Sequence, residues 1–211
     1  ALPILSDEER EMIAMVSDWI DAEVRPVVHD LEHANEYPEK LIEQMKHMGI
    51  YGLAIPEPYG DVAVSTSAYV GITEQLARGW MSLAGAMGGH TVVAKLLLTF
   101  GTEEQKQRYL PRMALGEVRG SFSMSEPGTG SDVSAISTKA VKTGEGYEIT
   151  GQKMWLTNGG SSTLTALLTK TDEGADSVYK NMTTFLIEKE PGFGETAQGV
   201  TIPRSEEHTS E

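Results

Sequence analysis

The sequence predicts an α+β protein, with an all-α helical bundle followed by a small β domain. Apolar residues recur at helical spacing up to about residue 116, and past Gly120 they alternate residue by residue, as in strands. The 211 residues are 39% hydrophobic, which is enough for a packed core. We place the helical domain at residues 5–118 and the β domain at residues 119–203.

The first two predicted helices have recognisable ends. Ser6 and Glu9 form a capping box for the first, whose apolar residues then recur on one face. Pro38 suits the first position of the second helix, and Gly49 suits its C-terminal cap. The two apolar faces consist of Met12, Ile13, Val16, Trp19, Ile20 and Val24, and of Leu41, Ile42, Met45 and Met48.

Three further helices complete the predicted bundle. One runs through residues 68–77, and the next contains a strongly apolar run, residues 92–98, before it stops near Gly101. We expect this run, and the nearby His90, to be buried in the bundle. Thr102 and Gln105 form a second capping box, for a helix that ends near Gly116.

The β domain begins with a short strand in which Phe122 and Met124 lie on one side and Ser121, Ser123 and Ser125 on the other. Residues 142–150 (KTGEGYEIT) predict a turn that enters a strand. Two further strands are predicted at residues 163–169 and 182–187, and another begins at residues 199–202.

Composition excludes several classes of protein. There are 17 lysines and arginines against 31 acidic residues, for a net charge of -14 and a pI near 4.8, so we expect no nucleic-acid partner. No uninterrupted apolar stretch is long enough for a membrane span, and the opening residues have no basic region before an apolar one, so we expect a protein that is not exported. The absence of cysteine excludes disulfides and agrees with a reducing compartment. We predict a cytoplasmic bacterial protein and, since no initiator Met is present, a fragment.

The last eight residues, 204–211 (RSEEHTSE), interrupt a segment that was entering a strand. They match the in-frame translation of a common sequencing-library adapter. We therefore interpret them as a non-native tail and not as protein.

Two segments contain the residues suited to chemistry. In residues 121–132 (SFSMSEPGTGSD), Gly128 and Gly130 allow a tight turn whose backbone N–H groups can approach a pyrophosphate, and Ser131 adds a hydroxyl. In residues 151–160 (GQKMWLTNGG), Trp155 offers an aromatic face beside Thr157. Taken alone, the first segment also fits a glycine-rich surface turn, and the tryptophan also fits a plain core residue.

Together these segments resemble the two flavin-binding signatures of the acyl-CoA dehydrogenase family, and the resemblance covers about residues 6–203. It implies a helical domain, a β-barrel domain that is truncated here, and a second helical domain that this chain lacks. It also implies FAD as cofactor, removal of hydrogens from the α and β carbons of an acyl-CoA to give the 2-enoyl thioester, electron transfer to an electron-transferring flavoprotein, and a homotetramer.

The resemblance assigns roles residue by residue. Ser125 matches the hydroxyl donor near flavin N1, where most relatives have threonine, and Thr157 matches the donor near N5. Trp155 matches the aromatic stacked on the flavin, Leu156 stands where isoleucine is usual, and Ser131 matches a residue that also touches the acyl-CoA. The predicted cofactor-binding residues are Phe122, Ser123, Met124, Ser125, Glu126, Pro127, Gly128, Thr129, Gly130, Ser131, Trp155, Leu156 and Thr157.

No catalytic residue is assigned. Proton abstraction next to a thioester needs a positioned carboxylate, and Glu126 and Asp132 are the nearest candidates. The resemblance places the family's glutamate base in the absent C-terminal domain, so we interpret Glu126 as structural. We expect the chain itself to be inactive.

Two alternatives stay open. An acyl-CoA oxidase or flavin monooxygenase would have the same fold and both segments. A zinc hydrolase is the alternative from another class, because His29 to His33 spell H-x-x-E-H on a predicted helix. Zinc needs three protein ligands for catalysis and this pattern supplies two, so we assign no metal ligand.

Overall fold

The computed structural model describes residues 5–171, 176–177, 180–195 and 201–202. The chain forms two compact units, Ala1–Val118 and Arg119–Glu211. The first is helical and the second is built on a mixed sheet, which confirms the predicted α+β class. The predicted tail at residues 204–211 and the start of the last predicted strand, at residues 199–200, lie outside the described residues.

The first helix, α1 (Asp7–Trp19), begins at the predicted capping box. Ser6 Oγ accepts a hydrogen bond of 3.1 Å from the Glu9 N–H, and Glu9 Oε2 accepts one of 3.0 Å from the Ser6 N–H. The helix continues into a wider π-helical turn, Ile20–Val24. Because Ile20 and Val24 are buried there, the whole predicted apolar face is used in packing.

Two shorter helices follow, α2 (Val28–His33) and α3 (Glu39–His47). Pro38 is the N-terminal cap of α3, one residue before the predicted position. Gly49 follows the end of α3 with a φ of +73°, the left-handed conformation that favours glycine.

The bundle is completed by α4 (Thr66–Gly79), α5 (Met81–Phe100) and α6 (Glu103–Ala114). α4 is longer than the predicted residues 68–77 because Ser65 caps it, accepting a hydrogen bond of 3.2 Å from the Ala68 N–H. The predicted capping box before α6 is confirmed, with hydrogen bonds of 2.9 and 3.2 Å between Thr102 and Gln105.

The longest helix of the described bundle is α5. By length and composition alone this helix could cross a membrane, although polar residues such as His90 and Lys95 interrupt its apolar sequence. One such helix is weak evidence, since a core helix meets the same criteria, and much of α5 is packed in the bundle. The predicted burial of His90 is confirmed, and its ring lies edge-on to that of Tyr51 at 5.0 Å. The predicted burial of the run 92–98 is only partly confirmed, because Val92 is 42% exposed. The buried residues of α5 are Leu83, Ala84, Ala86, Met87, His90, Val93, Ala94 and Leu97.

The second unit contains a five-stranded mixed sheet, whose strands are β1 (Gly120–Ser123), β2 (Lys139–Lys142), β3 (Tyr147–Thr150), β4 (Leu164–Lys170) and β5 (Met182–Glu188). Both sides of β4 are paired. On one side of β4, β5 pairs antiparallel along its whole length. On the other side, β1 pairs parallel with its beginning, Gly120 opposite Leu164, and β2 meets its end at Lys170. β3 is the strand predicted to follow the turn in residues 142–150, and it pairs antiparallel with β2, which was not predicted.

No closed barrel forms within the described residues. Besides the five-stranded sheet, the described part of the unit contains a two-stranded ribbon of β6 (Gly194–Glu195) and β7 (Thr201–Ile202). A barrel closes only when the first and last strands pair, and the described strands leave this sheet open.

The interior of the second unit contains many polar side chains. The buried polar residues of the unit are Ser121, Ser123, Glu126, Thr138, Ser162, Thr165, Thr169, Asn181 and Lys189.

Candidate functional site

The first predicted segment forms a tight turn after β1. The Glu126 N–H donates to the Thr129 carbonyl at 2.8 Å, and the Thr129 N–H donates back to the Glu126 carbonyl at 3.0 Å. Pro127 and Gly128 form the exposed tip of this turn. Proline suits such a position because its ring fixes φ.

The two glycines of this segment face open space. A Cβ atom added to Gly128 or Gly130 would meet no protein atom within 4 Å, and neither residue has a positive φ. Packing and backbone strain therefore do not require glycine here. What glycine provides is an uncovered stretch of backbone that a ligand can approach closely, which is how phosphate-binding loops use it.

The second segment holds a tryptophan out toward solvent. Trp155 is 73% exposed and has a φ of +55°, a conformation that is uncommon for a bulky residue. Thr157 is also exposed, whereas Leu156 is half-buried. The segment ends in a turn in which the Gly159 N–H donates to the Leu156 carbonyl at 2.9 Å. The interpretation of Trp155 as a core residue does not hold within this unit.

The fold brings the two segments together. The Met154 N–H donates to the Ser125 carbonyl at 2.9 Å, and Lys153 Nζ donates to the Met124 carbonyl at 2.9 Å. Farther along, Asn158 Nδ2 donates to the Gly120 carbonyl at 3.2 Å. Ser125 is thus bonded through its backbone to the residue that directly precedes Trp155.

The carboxylate of Glu126 is the centre of this arrangement. Its side chain is 4% exposed and accepts five hydrogen bonds. Ser137 donates its N–H and Oγ at 2.6 Å each, and Thr138 donates its N–H at 2.9 Å and Oγ1 at 2.6 Å. Lys153 Nζ, whose side chain is 8% exposed, donates at 3.0 Å. The carboxylate therefore connects the first segment, the second segment and the chain that enters β2.

These hydrogen bonds keep Glu126 ionised. Burial is the largest single influence and would raise the pKa of this carboxyl. The bonds from Ser137 and Thr138 together outweigh it and hold the pKa far below its ordinary value of 4.5. Burial also lowers the pKa of the Lys153 ammonium, against the opposing effect of the Glu126 charge. A carboxylate with so low a pKa is a poor general base, which supports a structural role.

A buried chain of hydroxyl groups makes a second connection. Ser121 Oγ lies 2.8 Å from Thr165 Oγ1 and accepts a hydrogen bond of 2.9 Å from Ser162 Oγ. Ser121 is in β1, Ser162 follows the second segment, and Thr165 is in β4. The serine side of β1 therefore faces the interior, and Phe122 is only half-buried. Alternation in the sequence located this strand, but hydrophobicity alone would have buried the opposite face.

The predicted site residues are distributed as follows. Ser125 is half-buried beside the second segment, and Trp155 and Thr157 are exposed within it. Ser131 is exposed beyond the turn and, within the described residues, makes no side-chain hydrogen bond. The inclusion of Glu126 among cofactor contacts stays a prediction, since its carboxylate is engaged by protein donors.

Sequence reasoning missed the residues that hold the site together. Ser137 and Thr138 lie outside both segments, and no local pattern links them to Glu126. Lys153 was visible as the one charged residue of GQKMWLTNGG, but nothing in the sequence indicated that it is buried.

The two histidines of the H-x-x-E-H pattern lie side by side on one helix. His29 and His33 are exposed on α2, with their ring centroids 4.1 Å apart, and His33 Nδ1 donates to the His29 carbonyl at 2.9 Å. Among the described residues, no group of three His, Asp or Glu side chains could hold a metal ion. The zinc-hydrolase hypothesis has no third ligand in this part of the chain.

Gly151 permits the close approach of the second segment to Thr138. A Cβ at this position would lie 2.6 Å from Thr138 Cα, so we expect Gly151→Ala to lower the stability of the second unit by about 1–3 kcal/mol. The slowest-exchanging amides of β4 measure that stability. Gly146→Ala, which places its Cβ in open space, is the matched control and should change it by less than about 0.5 kcal/mol. Equal effects would contradict the proposed close approach.

Replacing Glu126 by Gln should lower the free energy of unfolding of the second unit by about 3–5 kcal/mol at pH 7, because the Lys153 ammonium is left buried without its anionic partner. The folded pKa of Glu126 is depressed, so its contribution is complete above 4.5 and is lost as the pH falls below that value. The difference in the free energy of unfolding between wild type and variant, measured by β4 amide exchange, should therefore become smaller below pH 4.5. Glu148→Gln, on exposed β3, should leave the free energy of unfolding almost unchanged. For Glu126→Gln, a difference from wild type that stays constant from pH 7 to 3 would contradict the depressed pKa of Glu126.

Comparisons with known proteins identify the family of the chain. The family model of the acyl-CoA dehydrogenase N-terminal domain matches residues 6–117, and that of the middle domain matches residues 121–210. The chain is 36% identical to (2S)-methylsuccinyl-CoA dehydrogenase of Cereibacter sphaeroides, over 88% of this chain and 34% of that protein. It is 33% identical to an acyl-CoA dehydrogenase of Bacillus subtilis (strain 168), over 90% and 50%.

A solved structure of similar fold contains the cofactor. The acyl-CoA dehydrogenase complexed with FAD from Bacillus anthracis superimposes with a TM-score of 0.78 at 28% identity, over 89% of this chain and 32% of that one. The chain spans half the length, or less, of these two curated relatives. Two consecutive family domains together match nearly all of its residues, and the chain therefore belongs to the acyl-CoA dehydrogenase family.

Proposed function

We propose that this chain supplies the flavin-facing part of an FAD-dependent dehydrogenase that converts an acyl-CoA into its 2-enoyl thioester. The observation that carries the proposal is the pairing of Ser125 with Met154, which joins the two segments beside an exposed Trp155. The exposed face of this indole ring is available to stack against a planar ligand. The relatives reported above are named as dehydrogenases, which favours this activity over an oxidase or monooxygenase.

The residues present fit the parts of FAD. The uncovered backbone at Gly128 and Gly130 suits a pyrophosphate, and the face of Trp155 suits a planar ring system. The hydroxyls of Ser125 and Thr157 are donors for the ring edge, where negative charge develops on reduction. FAD, when bound, would accept the hydride that leaves the β carbon of the acyl group.

The chain's own residues bind and orient in this proposal but abstract no proton. Among the described residues, Glu126 is the one buried carboxylate beside the site, and its five hydrogen bonds and depressed pKa make it unsuitable as a base. We propose that the base lies outside these 211 residues. For the whole protein we propose an acyl-CoA substrate that also meets Ser131, an electron-transferring flavoprotein as electron acceptor, and a homotetramer. A cytoplasmic bacterial location likewise stays a prediction.

FAD binding tests the proposal directly. A Trp155→Ala, Thr157→Val double variant should bind FAD at least about tenfold more weakly, since it loses one stacking contact and one hydrogen bond. Quenching of flavin fluorescence during titration of the chain measures the dissociation constant. The control is a Val141→Ala, Thr143→Val double variant, whose residues are exposed elsewhere in the same unit. If the two variants bind FAD equally well, Trp155 and Thr157 do not belong to the site.

Turnover tests the absence of the base. The chain supplied with FAD should oxidise butyryl-CoA or octanoyl-CoA no faster than free FAD does, because a positioned base contributes about 10² to 10⁴-fold. Reduction of an artificial electron acceptor by soluble chain measures the rate. Clear turnover that Glu126→Gln abolishes would show that Glu126 is the base, and would overturn its assignment as structural.

A further inference from the structure

The backbone on both sides of Ser125 is fixed by hydrogen bonds. On the N-terminal side, the Met124 carbonyl accepts from Lys153 Nζ at 2.9 Å. On the C-terminal side, the Ser125 carbonyl accepts from the Met154 N–H at 2.9 Å, and the Glu126 N–H donates to Thr129. Peptide groups are planar, so fixing both of them fixes φ and ψ at Ser125. The direction of its Cα–Cβ bond is then set, and only the side-chain rotamer is left free.

One of these three bonds comes from a side chain. Lys153 Nζ reaches the Met124 carbonyl from a buried position, and its other hydrogen bond, at 3.0 Å, goes to Glu126. Glu126 is in turn held by Ser137 and Thr138. The ammonium is therefore located between a fixed carboxylate and the carbonyl that precedes Ser125. An ammonium hydrogen bond is stronger than one between neutral groups, and more so in a buried site.

We propose that Lys153 is a positioning residue for the cofactor: it orients the Ser125 hydroxyl by holding the Met124 carbonyl, and Glu126 holds Lys153 in place. This inference rests on the proposed flavin function of Ser125. It differs from a purely stabilising role, in which Lys153 would only neutralise the buried Glu126. In that case, its loss would weaken the whole unit and would act independently of Ser125.

The first test is local and needs no cofactor. In the 211-residue chain, Lys153→Met should speed amide exchange at Met154 by about tenfold or more relative to the change at β4 amides, because its acceptor carbonyl on Ser125 is no longer held. Lys142→Met, which removes an exposed lysine of the same sheet, should leave the Met154 amide unchanged. An unchanged Met154 amide in Lys153→Met, or an equal rise at β4, would overturn the proposal.

The second test asks whether Lys153 acts through Ser125. We expect Ser125→Ala to raise the FAD dissociation constant about twofold to tenfold, the effect of one hydrogen bond. Lys153→Met should raise it similarly, and the double variant should bind no more weakly than the worse single variant. Multiplied effects in the double variant would overturn the positioning role. If wild-type chain binds no FAD, the proposed function fails, and the exchange at Met154 alone decides whether Lys153 positions Ser125.

Discussion

The second unit depends on one constraint, the need to satisfy a buried carboxylate. Glu126 follows β1 directly and is removed from water, so its oxygens must find donors within the protein. They find them on Ser137, Thr138 and Lys153, which come from two other stretches of chain. Each donor fixes a segment that has little regular structure of its own. The loops around the site are thus held by hydrogen bonds where a hydrophobic core would otherwise be needed.

The hydrogen-bonded groups of this unit and the groups suited to a ligand lie in different places. The buried polar contacts lie beneath the two segments, and the groups suited to a ligand face outward. Trp155 is 73% exposed, and the backbone at Gly128 and Gly130 is uncovered. A surface with these properties is preorganised, because its polar and aromatic groups need little rearrangement to meet a cofactor. The hydroxyl chain through Ser121 supports the same surface from the β1 side.

The two units differ in how they are stabilised. The helical unit has a large apolar core that includes Met45, Ile72 and Leu83, all fully buried. In the sheet unit, the buried apolar side chains of the described residues are few, namely Ile136, Ala140, Leu164 and Ala166. The stability of an open sheet with a small apolar interior depends more on its hydrogen bonds. We therefore expect substitutions in the polar network to affect this unit more than similar changes affect the bundle.

The sequence alone determined the elements with local causes. Capping boxes at Ser6 and Thr102, and the glycine after α3, located helix ends because each involves residues within a few positions. The two glycine-rich and tryptophan-containing segments were also recognisable, and they indicated the family. Strand β2 was missed, since its four residues lack a distinct alternating pattern.

Only the tertiary structure decided how the site is held. The bond between Lys153 and Glu126 joins positions 27 residues apart, and those from Ser137 and Thr138 join positions 11 and 12 residues apart. The spacing of residues within a few positions of one another does not indicate such contacts. The structure also decided that the serines of β1 face inward and that Trp155 faces outward, against their hydrophobicity. Both reversals have the same physical reason: the interior of this unit is organised by hydrogen bonding, and its exposed apolar group lies where a ligand is expected.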